Sequence, residues 1–117
     1  KGTTAMFKCK YQCTPIEYAD SIGFRDEHTM VAHQGHSSTH DVELLRDRGG
    51  KVVHNSLANT ILGSGMPVGP EMRKEGIPVA VATDGSGSAD FQNMICAMRT
   101  CVQYFRGRDS DARLLTA

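Results

Sequence analysis

Ile77-Pro78-Val79-Ala80-Val81-Ala82-Thr83-Asp84-Gly85-Ser86 is the stretch on which the fold turns. An apolar run of this length, bounded by Gly76 and by Gly85-Ser86-Gly87-Ser88, reads as a strand buried on both faces. Asp84 stands at its C-terminal tip, followed by a small flexible segment. In parallel α/β proteins the C-terminal ends of the strands are where ligands and catalytic groups gather. A carboxylate placed there can bind a metal or take a proton from a bound water. The same residues also suit an ordinary Asp-Gly turn, so the meaning of Asp84 depends on its surroundings.

Upstream, two further short strands are expected. Thr29-Met30-Val31-Ala32 ends at His33, and Lys51-Val52-Val53 ends at His54-Asn55. Helices separate them. Thr14-Pro15-Ile16-Glu17 combines an N-cap, a proline at the first helical position and a capping-box glutamate, which predicts a helix over 14–22 stopped by Gly23. Residues 39–48 carry Val42 and Leu45 on one helical face and end at Gly49-Gly50. Residues 70–74 suit one or two helical turns, after a long loop rich in glycine and proline. In the last helix Phe91, Met94, Ile95, Met98, Val102 and Phe105 recur at helical spacing and predict one buried face. Helix and strand alternating at this spacing mean βαβ units and a parallel sheet, an α/β fold. Three strands are few for a free-standing parallel sheet, whose two faces both need cover.

The chain has 117 residues, the size of one domain or of a piece of a larger one, and 1–117 is read as a single unit. It opens on Lys1 and not Met, which reads as an excised segment with no signal peptide. Thirteen basic and thirteen acidic residues balance, so neither nucleic acid nor an anionic membrane surface is an expected partner. No apolar run approaches the length of a membrane span. Cys9, Cys13, Cys96 and Cys101 have spacings that miss the usual zinc-knuckle pattern. Buried reduced thiols in a cytoplasmic protein are the expectation, with Cys101 in the core beside Met98, Val102 and Phe105.

All three expected strands end in a side chain able to bind metal or move protons: His33, His54 and Asp84. On consecutive strands of one sheet these groups are expected to converge on one rim, the geometry a hydrolytic site needs. Histidines at strand ends also serve as hydrogen-bonded structural residues, and that reading stands beside the catalytic one. His36 and His40 are expected to be solvated or to support the site from behind, and His28 lies at the opposite end of the sheet. Gly63-Ser64-Gly65-Met66-Pro67-Val68-Gly69 resembles a phosphate-binding loop only superficially. The preceding Asn59-Thr60-Ile61-Leu62 is loop-like, and Pro67 removes an amide donor.

Val31-Ala32-His33-Gln34-Gly35-His36 resembles the strand-six "AHxxH" segment of the amidohydrolase superfamily. The segment from Val53-His54-Asn55-Ser56-Leu57-Ala58-Asn59 to Leu62-Gly63-Ser64-Gly65-Met66-Pro67-Val68 resembles its strand-seven "HNPxSNxxLxxGxxPV" segment. Val81-Ala82-Thr83-Asp84-Gly85-Ser86-Gly87-Ser88 resembles the strand-eight "GTDGxxS" segment. The similarity is greatest to the branch of cytosine, guanine and S-adenosylhomocysteine deaminases and triazine chlorohydrolases, over residues 14–106.

The resemblance implies a partial (β/α)₈ barrel made of the sixth to eighth βα units and the following helix, from a barrel of about 250 residues. It implies a zinc or iron ion and a small heteroaromatic substrate losing an amino or chloro group to metal-activated water. By resemblance Asp84 is the metal ligand and proton acceptor, and His33 orients water or substrate. His54, Asn59 and Ser88 fall at substrate-contact or loop-shaping positions. Ser56 stands where the family usually has proline, and Ala58 where it has serine. The strand-one "HxH" and strand-five "HxxE" segments have no counterpart in this sequence. The chain alone is therefore expected to lack most metal ligands and to be inactive. Self-association or a complementing chain would cover its exposed edges.

Overall fold

Two capping boxes organise the N-terminal half of the structure, a computed structural model that describes residues 2–116. Thr14 caps a helix over Pro15–Ser21 and Ser38 caps one over Thr39–Asp47, with Glu17 and Asp41 closing the two boxes. The caps are joined, because the Thr14 hydroxyl donates to the Asp41 carboxylate. In chain order the elements are α1 (Gly2–Tyr11), α2 (Pro15–Ser21), β1 (Met30–Ala32), α3 (Thr39–Asp47), β2 (Lys51–His54), α4 (Ser56–Ile61), α5 (Gly69–Lys74), β3 (Val79–Val81), α6 (Ser86–Ala89) and α7 (Met94–Asp109).

The strands form one parallel sheet in the order β1-β2-β3, as the alternation predicts. Val31 pairs with Val52, and Val53 with Ala80. Two bonds carry the ladder past the strand ends to the rim: His33 N–H donates to Val53 O and Ala82 N–H to His54 O, each at 3.0 Å. Val52 lies in a core with Ile16, Val42, Leu45, Met72 and Ile77, and Val31 and Val79 pack against it. Each such side chain withdrawn from water contributes about 1.5–3 kcal/mol. Met30, Ala32, Lys51 and Ala80, on the opposite face, are exposed. Among the described residues the sheet is thus covered on one side only.

Several expectations need correction. Residues 2–11, for which the sequence predicts no element, are helical although they bury no side chain; Phe7, Tyr11 and Tyr18 stack at 4.6–5.5 Å and hold α1 against α2. The stretch read as a long loop contains α4, which lacks a side-chain cap and is anchored by tertiary contact: the buried Ser56 hydroxyl donates to Ala97 O at 2.6 Å. Ser86–Ala89, read as flexible, is a short helix. β3 is shorter than its apolar run, because Pro78 has no amide hydrogen to donate. In α7 the buried positions are Ala97, Cys101 and Phe105, whereas Met94, Ile95 and Met98, and Phe91 just before the helix, are exposed. The apolar stripe is present, but only its inner edge meets other described residues. All four cysteines are free; Cys101 is buried as expected and Cys9 is exposed. Burial pushes the Cys101 thiol pKa up. Among the described residues no helix is long and apolar enough to cross a membrane.

Candidate functional site

His33 and Asp84 meet at the C-terminal rim of the sheet, with His33 Nε2 at 3.6 Å from Asp84 Oδ2. Both residues have left-handed backbones, φ +68° at His33 and +66° at Asp84, and Gln34 follows at +50°. Such a conformation costs a residue with a Cβ about 1–2 kcal/mol, and strain of this kind concentrates at functional sites. Its effect on direction is direct. Successive side chains along a strand point to opposite faces, so His33 should follow Val31 into the helix layer. The left-handed turn brings it back to the rim.

Two asparagines hold the His33 ring. His33 Nδ1 lies 2.8 Å from Asn59 Oδ1, which also accepts from the Ser64 hydroxyl at 3.3 Å. Asn55 Nδ2 lies 3.4 Å from His33 Nε2. Both asparagines are buried. Asp84 Oδ1 accepts from Gly85 N–H at 2.7 Å, which leaves Oδ2 turned toward the histidine. Close backbone approach sets this arrangement: a Cβ at Gly35 would lie 2.8 Å from the Gly65 carbonyl carbon, and one at Gly65 would lie 2.7 Å from Gly35 O. The loops after β1 and α4 therefore touch main chain to main chain. Of the glycines read as a superficial phosphate loop, Gly65 serves this contact. A cleft of about 300 Å³, bordered by Thr3, Ile16, His33, His36 and Ser64, opens beside the histidine.

His54 does not join the rim. It follows Val52 into the helix layer, is 1% exposed, and packs its ring against Phe105 at a centroid distance of 5.4 Å. Neither ring nitrogen has a partner among the described residues. Burial first, and the nearby His33 second, pull its pKa down from 6.5 to about 4. The expected convergence of three strand-end groups therefore holds for His33 and Asp84 and fails for His54. Asn55, one residue on and facing the other way, takes the place at the rim and was missed in the sequence. Ser88 is half-buried in α6 and is not among the His33 ring's hydrogen-bond partners. His36 is exposed beside Gly65, and His40 lies 3.4 Å from Glu43.

Among the described residues no three histidine, cysteine, aspartate or glutamate side chains are grouped to hold a metal. His33 Nε2 and Asp84 Oδ2 are nitrogen and oxygen donors of the kind zinc takes, and they amount to two of about four that such an ion needs.

The sequence model of the amidohydrolase family matches residues 1–115. The chain belongs to that family. The 5-methylthioadenosine/S-adenosylhomocysteine deaminase of Aquifex aeolicus is 36% identical over 117 residues, covering all of this chain and 27% of the relative. An adenosine deaminase from Xanthomonas campestris, solved with bound zinc, superposes with a TM-score of 0.92 at 23% identity, over 98% of this chain and 26% of its own. A guanine deaminase from C. acetobutylicum, solved with guanine in its active site, gives 0.83 at 21% identity, over 97% of this chain and 28% of its own. The chain thus spans about a quarter of the length of the relatives it matches.

Proposed function

We propose that this chain is the part of an amidohydrolase (β/α)₈ barrel comprising its sixth, seventh and eighth βα units. The parent reaction is hydrolytic removal of an amino group from a heteroaromatic ring. The observation that carries the reading is the opposition of His33 Nε2 and Asp84 Oδ2 across 3.6 Å, at the C-terminal rim of a parallel sheet. One-sided cover of the sheet and the exposed Phe91, Met94, Ile95 and Met98 support it, since the remaining units of a barrel would cover such surfaces.

Asp84 would hold a divalent ion, zinc or iron, through Oδ2, with its other ligands outside this chain. When bound, the ion lowers the pKa of a coordinated water and so supplies a nucleophile at neutral pH. Asp84 then accepts the proton that the water gives up, and His33 orients the water and the ring from the opposite side. The adenosine-type substrate named for the Aquifex aeolicus relative makes a 6-aminopurine nucleoside the favoured substrate class. Asn59 and Ser88 are kept as groups that shape the substrate side of the rim. His54 is assigned no contact with substrate, because its ring is buried behind the sheet.

The test is ammonia release from S-adenosylhomocysteine and adenosine with added zinc. The chain alone should show no turnover, since it offers two donors. Joined to the preceding barrel units of the Aquifex aeolicus relative, it should turn over and lose about 10²–10⁴-fold on Asp84→Ala. Turnover by the chain alone, or a chimera that is indifferent to Asp84, would refute the proposal.

A further inference from the structure

We infer that Asn59 is a positioning residue that fixes the tautomer of His33, with the proton on Nδ1 and the lone pair of Nε2 facing Asp84. The catalytic meaning of this rests on the proposed function, but the geometry stands by itself. A neutral imidazole has one donor and one acceptor nitrogen, and the partner of one determines the state of the other. Asn59 Oδ1 is 2.8 Å from Nδ1 and receives the Ser64 hydroxyl as well, so it is the acceptor in both contacts. Nδ1 must then donate. On the other side of the ring Asn55 Nδ2 approaches Nε2 at 3.4 Å as a donor, which requires a lone pair there.

The distance to Asp84 agrees. A hydrogen on Nε2 aimed at a carboxylate would draw the pair to about 2.7–2.9 Å. The observed separation is 3.6 Å. Two electron-rich atoms therefore face one space, which suits a water proton or a cation between them and does not suit a direct histidine–aspartate bond. Asn59 sits in α4 and is buried, and the partners of its side-chain oxygen are His33 and Ser64. Asn59 thus shapes the substrate side of the rim through His33, the group that makes the contact.

The test is a long-range ¹H–¹⁵N spectrum of the histidine-labelled 117-residue chain in alkaline buffer. His33→Gln identifies the His33 signals by their loss. The unsubstituted chain should show Nδ1 at the protonated position and Nε2 at the unprotonated one. Asn59→Leu should move His33 toward the Nε2–H form, and Asn59→Asp, which keeps an acceptor oxygen, should restore the Nδ1–H pattern. An Nε2–H pattern in the unsubstituted chain would mean that both asparagine amides are turned over, and it overturns the inference. So does an unchanged pattern in Asn59→Leu. The unsubstituted spectrum decides the matter even if the leucine variant does not fold. No metal or turnover enters the readout, so its failure is separable from failure of the proposed function, which ammonia release reports.

Discussion

Acid should destabilise this fold through His54, and the sign and size of the effect follow from its surroundings. The ring is 1% exposed, both nitrogens are unpartnered among the described residues, and its pKa is lowered from 6.5 to about 4 by burial and then by His33. Below the ordinary histidine value the unfolded chain takes up a proton that the folded chain refuses. Stability from this group is therefore complete above pH 6.5 and is lost as pH falls toward 4, with no further loss below. Each pH unit in that window is worth about 1.4 kcal/mol, which gives a loss of about 3 kcal/mol. His54→Leu removes the titration and keeps an apolar body against Phe105. It should raise neutral-pH stability by about 1 kcal/mol, because two buried polar atoms without partners disappear. The assay is urea unfolding followed by circular dichroism at a series of pH values, for both proteins. Other groups titrate in the same window, so the difference between the two curves isolates His54. Parallel curves for the two proteins would refute the reasoning.

The remaining predictions concern packing and the loops that carry the site. Leu45→Ala should cost about 2–5 kcal/mol in the same unfolding assay, because Leu45 is fully buried among Ile16, Val52 and Met72. Gly35→Ala places a methyl 2.8 Å from backbone atoms of Gly65, which cannot swing aside as a side chain would. It should destabilise by about 1–3 kcal/mol and spread the His33 and Asn59 resonances as the two loops part. Ser56→Ala removes the hydroxyl that ties α4 to Ala97 O and should cost about 1–2 kcal/mol, measurable by thermal unfolding.

Local chemistry with a strong signal was legible in the sequence. Thr14 and Ser38 cap as their neighbours Glu17 and Asp41 require, and the alternating pattern yields the parallel order of the sheet. Elements held by tertiary contact were not. Helix α4 has no cap and only six residues, and its anchor is a hydroxyl reaching a carbonyl 41 positions away. Helix α1 buries nothing and leaves no periodic trace. The stripe on α7 was visible as a pattern, but a pattern cannot say which part of the face has a partner among these residues.

The site itself divides along one physical line. Strand alternation is a rule about ordinary backbone, and it correctly sends His54 after Val52 into the helix layer. Counted from Val52, which the structure buries, alternation puts His54 behind the sheet and Asn55 at the rim. His33 escapes that rule by adopting positive φ, which neither motif spacing nor hydropathy encodes, whereas Asp84 needs no escape, because alternation counted from Val79 already puts it on the face opposite the helix layer. A residue with a Cβ enters that region only against a cost of about 1–2 kcal/mol, so it is where a strand end has been given a direction its sequence would not choose. The turn after β1 brings the His33 nitrogen back toward a carboxylate that alternation already places at the rim, while His54 on β2 keeps ordinary geometry and stays behind the sheet. The rim was built by turning the end of β1 back on itself and leaving β2 straight.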